Sequence, residues 1–316
     1  MDKQPIPDTM IEAVRQFADP KVAHDFVTQI RFPNGVACPR QGCGSARVAF
    51  LEKSMRWYCN ECKKQFSVKV GTIFEDSPIP LTKWLPAIWL LASNRNGISS
   101  CEVARALKVT QKTAWFMLHR IRLAMQNDSF EKLTGSVEVD ETYIGGRTRH
   151  KVRGAGSRGC QPSGRKGMGP VGKTPVMGIV QRDGKARAWV IPSVRQKTLL
   201  PKIWDNVEHG ATVYTDALHS YKHLHREYVH FVINHAYEYV REHVHTNNVE
   251  GFWSVLKRTL GGTYIAARPQ HLQAYVEEQV FRFNEREEAD GPRFAKALKG
   301  ADGKRLTYNT LTGKER

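Results

Sequence analysis

The chain has 316 residues, 41% hydrophobic and 25% charged, which is enough apolar material for a folded core and room for about two domains of roughly 150 residues. Forty-eight Lys and Arg against 31 Asp and Glu leave a formal charge of +17, an excess that on a folding chain serves a polyanion, nucleic acid first. No apolar run approaches the ~20 residues of a membrane span, and the opening MDKQPIPDTMIEAV lacks a basic and then apolar secretory signal, so no membrane partner and a cytoplasmic chain with reduced thiols are expected.

Apolar positions at helical spacing over residues 8–31 (Met10, Ile11, Val14, Phe17, then Ala23, Phe26, Val27, Ile30) predict two short helices broken at Asp19-Pro20. A β segment follows, with 46–51 and 55–59 flanking a charged turn and Gln65 to Val70 alternating again. It carries Cys38-x4-Cys43 and Cys59-x2-Cys62, with fifteen residues between the pairs. A tetrahedral ion needs two close pairs on turns that can face each other, so this is the spacing of a four-thiolate Zn²⁺ site, and four protein ligands make it structural. The alternative is four unrelated reduced cysteines. Cys101 and Cys160 fall outside the pattern, the first expected as a small buried residue and the second as a loop thiol.

From Thr82 to Met125 helical periodicity returns, with Trp84, Leu85, Ile88, Trp89 and Leu91 on a first helix and two further helices separated near Lys108. The later pair has a helix-turn-helix arrangement: Ser99 or Ser100 caps one helix and Thr110 caps the next. Gln111, Lys112 and Thr113 would then face DNA, and His119, Arg120 and Arg122 would reach phosphates. A helical hairpin with a solvated basic face gives the same pattern.

After a linker at Leu133 to Gly135, Ser136 to Asp140 alternates as a strand ending in two carboxylates, Asp140 and Glu141. A glycine-rich insert from Arg147 to Lys173 carries eight basic residues, Arg147 and Arg149 among them, and no acid. Because it leaves directly from Asp140, it is expected to lie over DNA phosphates, the alternative being a solvated loop. Val176 to Gln181, Asp183-Gly184 and Ala186 to Ile191 read as a hairpin. Residues 195–208 read as a helix, Thr212 to Thr215 as a strand ending at Asp216 with a helical stretch behind it, and Val229 to Asn234 as another strand. Helices at 247–260 and 270–284 follow, then a basic, weakly patterned tail after Pro292. Histidines are dense from His219 to His245, but only His219-x3-His223 has ligand-like spacing, so surface or network roles are expected. His243 and His245, just before the 247–260 helix, could touch a phosphate or its metals.

Asp140, Asp216 and Glu250 are the catalytic candidates. Both aspartates end predicted strands, where an α/β sheet opens a cleft. On the 247–260 helix Val249, Phe252, Trp253, Leu256 and Leu260 form an apolar stripe, while Glu250, Ser254 and Lys257 share another face. Three carboxylates converging on a cleft can hold two magnesium ions for phosphodiester chemistry. Singly, each has a plainer use: Asp216 as a helix cap, Asn247-x-x-Glu250 as a capping box, Asp140 in a strand-end turn.

The four-cysteine ribbon, the helical DNA-binding segment, Val139-Asp140-Glu141-Thr142-Tyr143-Ile144-Gly145-Gly146, Tyr214-Thr215-Asp216 and the run from His245 through Asn247, Glu250 and Trp253 to Lys257-Arg258 resemble the bacterial insertion-sequence DDE transposases of the ISXO2-like group. The resemblance extends over almost the whole chain. It implies an RNase H-like catalytic domain, dependence on Mg²⁺ (or Mn²⁺), and transposon ends as substrates. It makes Asp140, Asp216 and Glu250 the metal-holding triad, with 33 residues between the last two, and Lys257 the basic residue seven positions after the glutamate. The x4 spacing of the first cysteine pair departs from the commoner x2.

The fold class expected is therefore α+β and multidomain: N-terminal helices and zinc ribbon over 1–76, a helix-turn-helix segment over 77–132, an RNase H-like α/β catalytic domain over 133–290 with the basic insert 147–173, and a basic tail over 291–316. The expected function is a transposase that cleaves element ends and joins them to target DNA, working as a homo-oligomer on terminal inverted repeats at the bacterial nucleoid. A non-catalytic DNA-binding regulator derived from such an enzyme, or a metal-dependent nuclease without joining activity, are the alternatives.

Overall fold

The computed structural model describes residues 4–126, 131–145, 172–233, 245–265 and 267–314. In chain order the elements are α1 (Met10–Gln16), α2 (Pro20–Arg31), β1 (Val48–Leu51), β2 (Arg56–Cys59), β3 (Gln65–Phe66), α3 (Leu81–Ser93), α4 (Ser100–Leu107), α5 (Gln111–Ala124), β4 (Ser136–Ile144), β5 (Thr174–Gln181), β6 (Ala186–Val190), α6 (Gln196–Asn206), β7 (Thr212–Asp216), β8 (Val229–Ile233), α7 (Asn247–Thr259), α8 (Leu272–Asn284), α9 (Asp290–Lys299) and α10 (Tyr308–Thr312). They assemble into two compact units, one of residues 1–128, 258–266 and 277–316, the other of 129–257 and 267–276. The contiguous partition expected from sequence thus differs from the spatial one, and two of the four dividing points fall inside α7 and α8.

In the first unit, α1 starts at a capping box between Thr9 and Glu12, and α2 starts at Pro20 with Asp19 accepting from the Lys21 N–H. The ribbon sheet is antiparallel in the order β1-β2-β3. Its third strand is two residues long, because after Phe66 the chain folds into turns closed by Val70 N–H to Ser67 and Thr72 N–H to Lys69. The ribbon shares one core with the helices: Trp57, Cys59 and Phe66 belong to the same buried cluster as Phe26, Trp84, Trp89 and Leu118. The stretch expected as a weakly patterned tail instead contains α9, whose Phe294 is fully buried against Phe17, Phe26 and Trp89 at ring distances of 5.8, 6.0 and 5.1 Å. Gly300 ends α9 so close to α5 that a Cβ would stand 2.1 Å from the Ala124 carbonyl oxygen. Cys101, expected to be buried, is exposed on α4. Among the described residues no helix is long and apolar enough to cross a membrane.

The second unit is built on a five-stranded sheet in the order β6-β5-β4-β7-β8. β4, β5 and β6 pair antiparallel, while β4-β7 and β7-β8 pair parallel. Alternation assigns the faces of β4: Val137 and Val139 join the buried cluster with Leu199, Leu200 and Ile203 of α6 and with Tyr221, so Glu138 and Asp140 point to the opposite face. There α7 buries Val249, Phe252, Trp253 and Leu256. Behind Asp216 the chain makes 3-10 turns at His219–Tyr221 and Leu224–Arg226 rather than the expected helix.

Candidate active site and metal centre

The four thiols Cys38, Cys43, Cys59 and Cys62 all lie within 4.8 Å of one another, with Cys38–Cys62 at 3.9 Å and Cys43–Cys59 at 3.6 Å. A tetrahedron of ~2.3 Å Zn–S bonds separates its sulfurs by about 3.8 Å, so the set fits this ion. Cys43 sits between two left-handed glycines, Gly42 and Gly44, which turn the chain sharply enough to aim its thiol at the others. The backbone N–H groups of Cys62 and Glu61 bring the Cys59 thiol down to about 7, whereas burial pushes Cys38 up to about 12. Among the described residues this is the one His, Cys, Asp or Glu group compact enough to ligate an ion as it stands.

The carboxylates are arranged differently. The parallel ladder of β4 with β7 has its last rung at Glu138 and Tyr214, and Asp140 and Asp216 each stand two residues further along these neighbouring strands. Burial pushes the Asp140 carboxyl up to about 6, and the charges of Asp216 and Glu250 add to it, so both stand near enough to Asp140 to be felt there. A carboxylate raised by burial and by two neighbouring carboxylates suits a hard divalent cation, which would relieve the repulsion. Asp216 accepts the Leu218 N–H at 3.1 Å, and Glu250, exposed in the first turn of α7, accepts the Thr246 hydroxyl at 3.2 Å. Glu141 projects to the other face of the sheet and is hydrogen-bonded by the Tyr221 hydroxyl; burial raises it to about 8.

Residues outside the expected triad also shape this site. Trp253 donates its indole N–H to Asp140 Oδ2 at 3.0 Å. Its ring occupies the space over Gly178, the β5 partner of Asp140, where a Cβ would come within 2.6 Å of it. Glu138, fully buried, accepts the Asn248 and Val249 backbone N–H groups on Oε2 at 2.9 and 3.1 Å. It also accepts Arg182 Nε on Oε1 at 2.9 Å. The free N–H groups of the first turn of α7 are therefore capped by a strand carboxylate and not by a box between Asn247 and Glu250. Residues two apart on a strand share a face, and that signal alone could have paired Glu138 with Asp140.

The residues expected to touch DNA separate into groups. Gln111 and Lys112 are exposed at the start of α5, with Gln111 donating to Ser100 Oγ at 2.8 Å and Lys112 lying 4.7 Å over the Tyr308 ring. The Thr113 hydroxyl pairs with that of Thr110 at 2.8 Å. Lys257 is exposed on α7. Arg120 is not a phosphate contact: it is 5% exposed, and its guanidinium is taken up by the carbonyls of Leu306, Ile73 and Glu75. His119 is buried as well, and Arg122 forms a buried ion pair with Glu278 at 2.5 Å. The outward turn of α5 covers only its beginning, and by residue 119 the helix has entered the core. His245 faces Glu138, with Nδ1 3.4 Å from Oε1. Arg147, Arg149 and all of the insert but its last two residues, together with His243 and Cys160, lie outside the described residues.

A family model described as the ISXO2-like transposase domain matches residues 132–284, and one described as the transposase zinc-ribbon domain matches residues 19–65. The chain is 29% identical over 284 residues to an uncharacterized protein in transposable element ISH50 of Halobacterium salinarum, covering 85% of this chain and 94% of that one. It is 36% identical over 99 residues to an uncharacterized transposase-like protein of Haemophilus influenzae, covering 31% of this chain and 80% of the other. No solved structure matches it significantly. The first match spans all three carboxylates and the second all four cysteines, and with a relative this similar over most of its length, the chain belongs to the ISXO2-like transposase family.

Proposed function

We propose that this transposase binds the ends of an insertion element, cleaves a DNA strand there and joins the freed end to target DNA, with Mg²⁺ held by Asp140, Asp216 and Glu250. The observation that carries the reading is the placement of Asp140 and Asp216 two residues beyond the last rung of neighbouring parallel strands, with Glu250 on the helix seated against the same face of β4. The sheet order, three antiparallel strands continued by two parallel ones, supports an RNase H-like reading of the unit. When bound there, magnesium polarises the scissile phosphate and activates the attacking hydroxyl. The chain's own part is to hold the three carboxylates, to orient Asp140 through Trp253, and to keep Glu141 out of the set by engaging it with Tyr221. Lys257 offers a cation to the DNA backbone from the helix that carries Glu250. The α4-turn-α5 pair, closed by left-handed Lys108 and capped by Thr110, supports a helix-turn-helix that offers Gln111, Lys112 and Thr113 to a groove. The zinc ribbon is structural, and two element ends in one reaction call for more than one copy of the chain.

The test is incubation of the purified protein and Mg²⁺ with labelled DNA carrying the flanking element ends. Nicked and joined products are expected, and Asp140→Asn, Asp216→Asn and Glu250→Gln should each abolish both while end binding persists. Near-normal cleavage by any of these variants would remove that residue from the triad. Nicks without joined products would make the protein a nuclease.

A further inference from the structure

We propose that Glu138 is the positioning residue of the metal site: by capping α7 from β4 it fixes where the Glu250 carboxylate stands relative to Asp140. This rests on the reading of Asp140, Asp216 and Glu250 as the metal-holding set. Glu138 has no exposed surface, and its acceptor capacity is filled. Oε1 takes Arg182 Nε and Asn248 Nδ2, both at 2.9 Å, and Oε2 takes the backbone N–H groups of Asn248 and Val249. A carboxylate offers about four lone-pair sites, so nothing is left over for a cation, although Glu138 lies only two residues from Asp140. Arg182 is fixed in its turn, donating to the His245 carbonyl at 2.7 Å and lying 4.0 Å over the Tyr214 ring. The strand carboxylate thus gathers the start of α7, the hairpin residue Arg182 and the chain just ahead of the helix at one point.

The second hold on α7 is Trp253, whose N–H reaches Asp140 and whose ring needs the bare backbone of Gly178. Glu250 lies between the two holds. A slip of one residue along a helix moves a side chain by ~1.5 Å and rotates it by about 100°, more than a metal ligand tolerates. Trp253 alone would let the first turn fray and carry Glu250 away, because the N–H groups of Asn248 and Val249 have no other acceptor along the helix. A charged acceptor also suits the positive end of the helix dipole.

The experiment uses the full-length zinc-loaded protein and three readouts: Mn²⁺ binding by calorimetry, hydrogen exchange of the 247–250 segment without Mn²⁺, and thermal unfolding. Glu138→Gln keeps the shape but removes the charge and one acceptor oxygen. It should weaken Mn²⁺ binding by about tenfold to a hundredfold, the range found when residues supporting metal ligands are changed, and should speed exchange at the start of α7. Strand cleavage should recover as Mn²⁺ is raised. The double variant Glu138→Gln with Arg182→Gln leaves no unpaired buried charge, so its unfolding midpoint should return toward that of the parent while Mn²⁺ binding stays weak. If Mn²⁺ binding recovers together with the midpoint, or never falls, Glu138 serves the fold alone and the proposal is overturned. Asp140→Asn separates the two readings. Loss of Mn²⁺ binding there with none in Glu138→Gln sinks only the positioning role, and unchanged binding in Asp140→Asn removes the metal set and this proposal with it.

Discussion

A positive charge on a helix can serve solvent, DNA or the protein itself, and Lys112 and Arg120 show how two cations on α5 part company. Lys112 is exposed and rests on Tyr308, whereas Arg120 ties the Leu306 carbonyl to those of Ile73 and Glu75, two stretches far apart in sequence. Arg120→Ala should therefore lower stability by at least about 2 kcal/mol, since the carbonyls lose their donor in a buried place, and should leave the salt dependence of DNA binding unchanged. Lys112→Ala should do the reverse, flattening the plot of log affinity against log salt by about 0.9 with no change in unfolding. Urea unfolding and a salt series of DNA titrations check both. Spacing along a helix reports which residues share a face but not which part of that face the rest of the chain covers, so Lys112 and Arg120 look equally available in the sequence. Glu138 is hidden for a related reason: a polar residue within an alternating strand reads as a solvent-facing position, and only the arrival of α7 makes it an interior one.

At the scale of elements, what could be read depended on how much of an element's partner lay nearby in sequence. The ribbon cysteines, the two helices around Pro20 and the β5-β6 hairpin stand where local spacing puts them. Beyond Phe66 alternation persists, but turns held by Ser67 and Lys69 override it. The α9 helix was masked by its own charges, since Arg293, Lys296 and Lys299 dominate the stretch while Phe294, Ala297 and Leu298 carry the burial. The ribbon, for its part, is no detachable module, because Trp57 and Phe66 sit in the same core as α2, α3 and α9. Loss of zinc should accordingly loosen those helices too. Cys59→Ser, or stripping the metal with a strong chelator, should lower the unfolding temperature and reduce helical circular dichroism by more than a ribbon alone can supply, given the coupling of metal binding to folding. Loss confined to the ribbon strands would contradict the shared core.

At the scale of the whole molecule, a unit whose residues come from three separate stretches depends on the last of them. Phe294→Ala should cost about 3–5 kcal/mol, and a chain stopped before Asp290 should fail to fold its first unit rather than lose a basic appendage; limited proteolysis and DNA titration of both variants check this. A sequence read from left to right partitions a protein into consecutive blocks, so a unit assembled from three separate stretches is not legible in it as one; nor does alternation that weakens after Asp140 show that β4 runs on to Ile144.

The placement of Phe294 also bears on the order of events during synthesis. The rings it meets, Phe17, Phe26 and Trp89, leave the ribosome long before it does, and the residues of the second unit are made in between. The unit with the ribbon and the α4-α5 pair therefore cannot close until the carboxylate-bearing unit has been translated in full. A ribosome that stalls or a message cut short should therefore release no fragment in which this unit is folded.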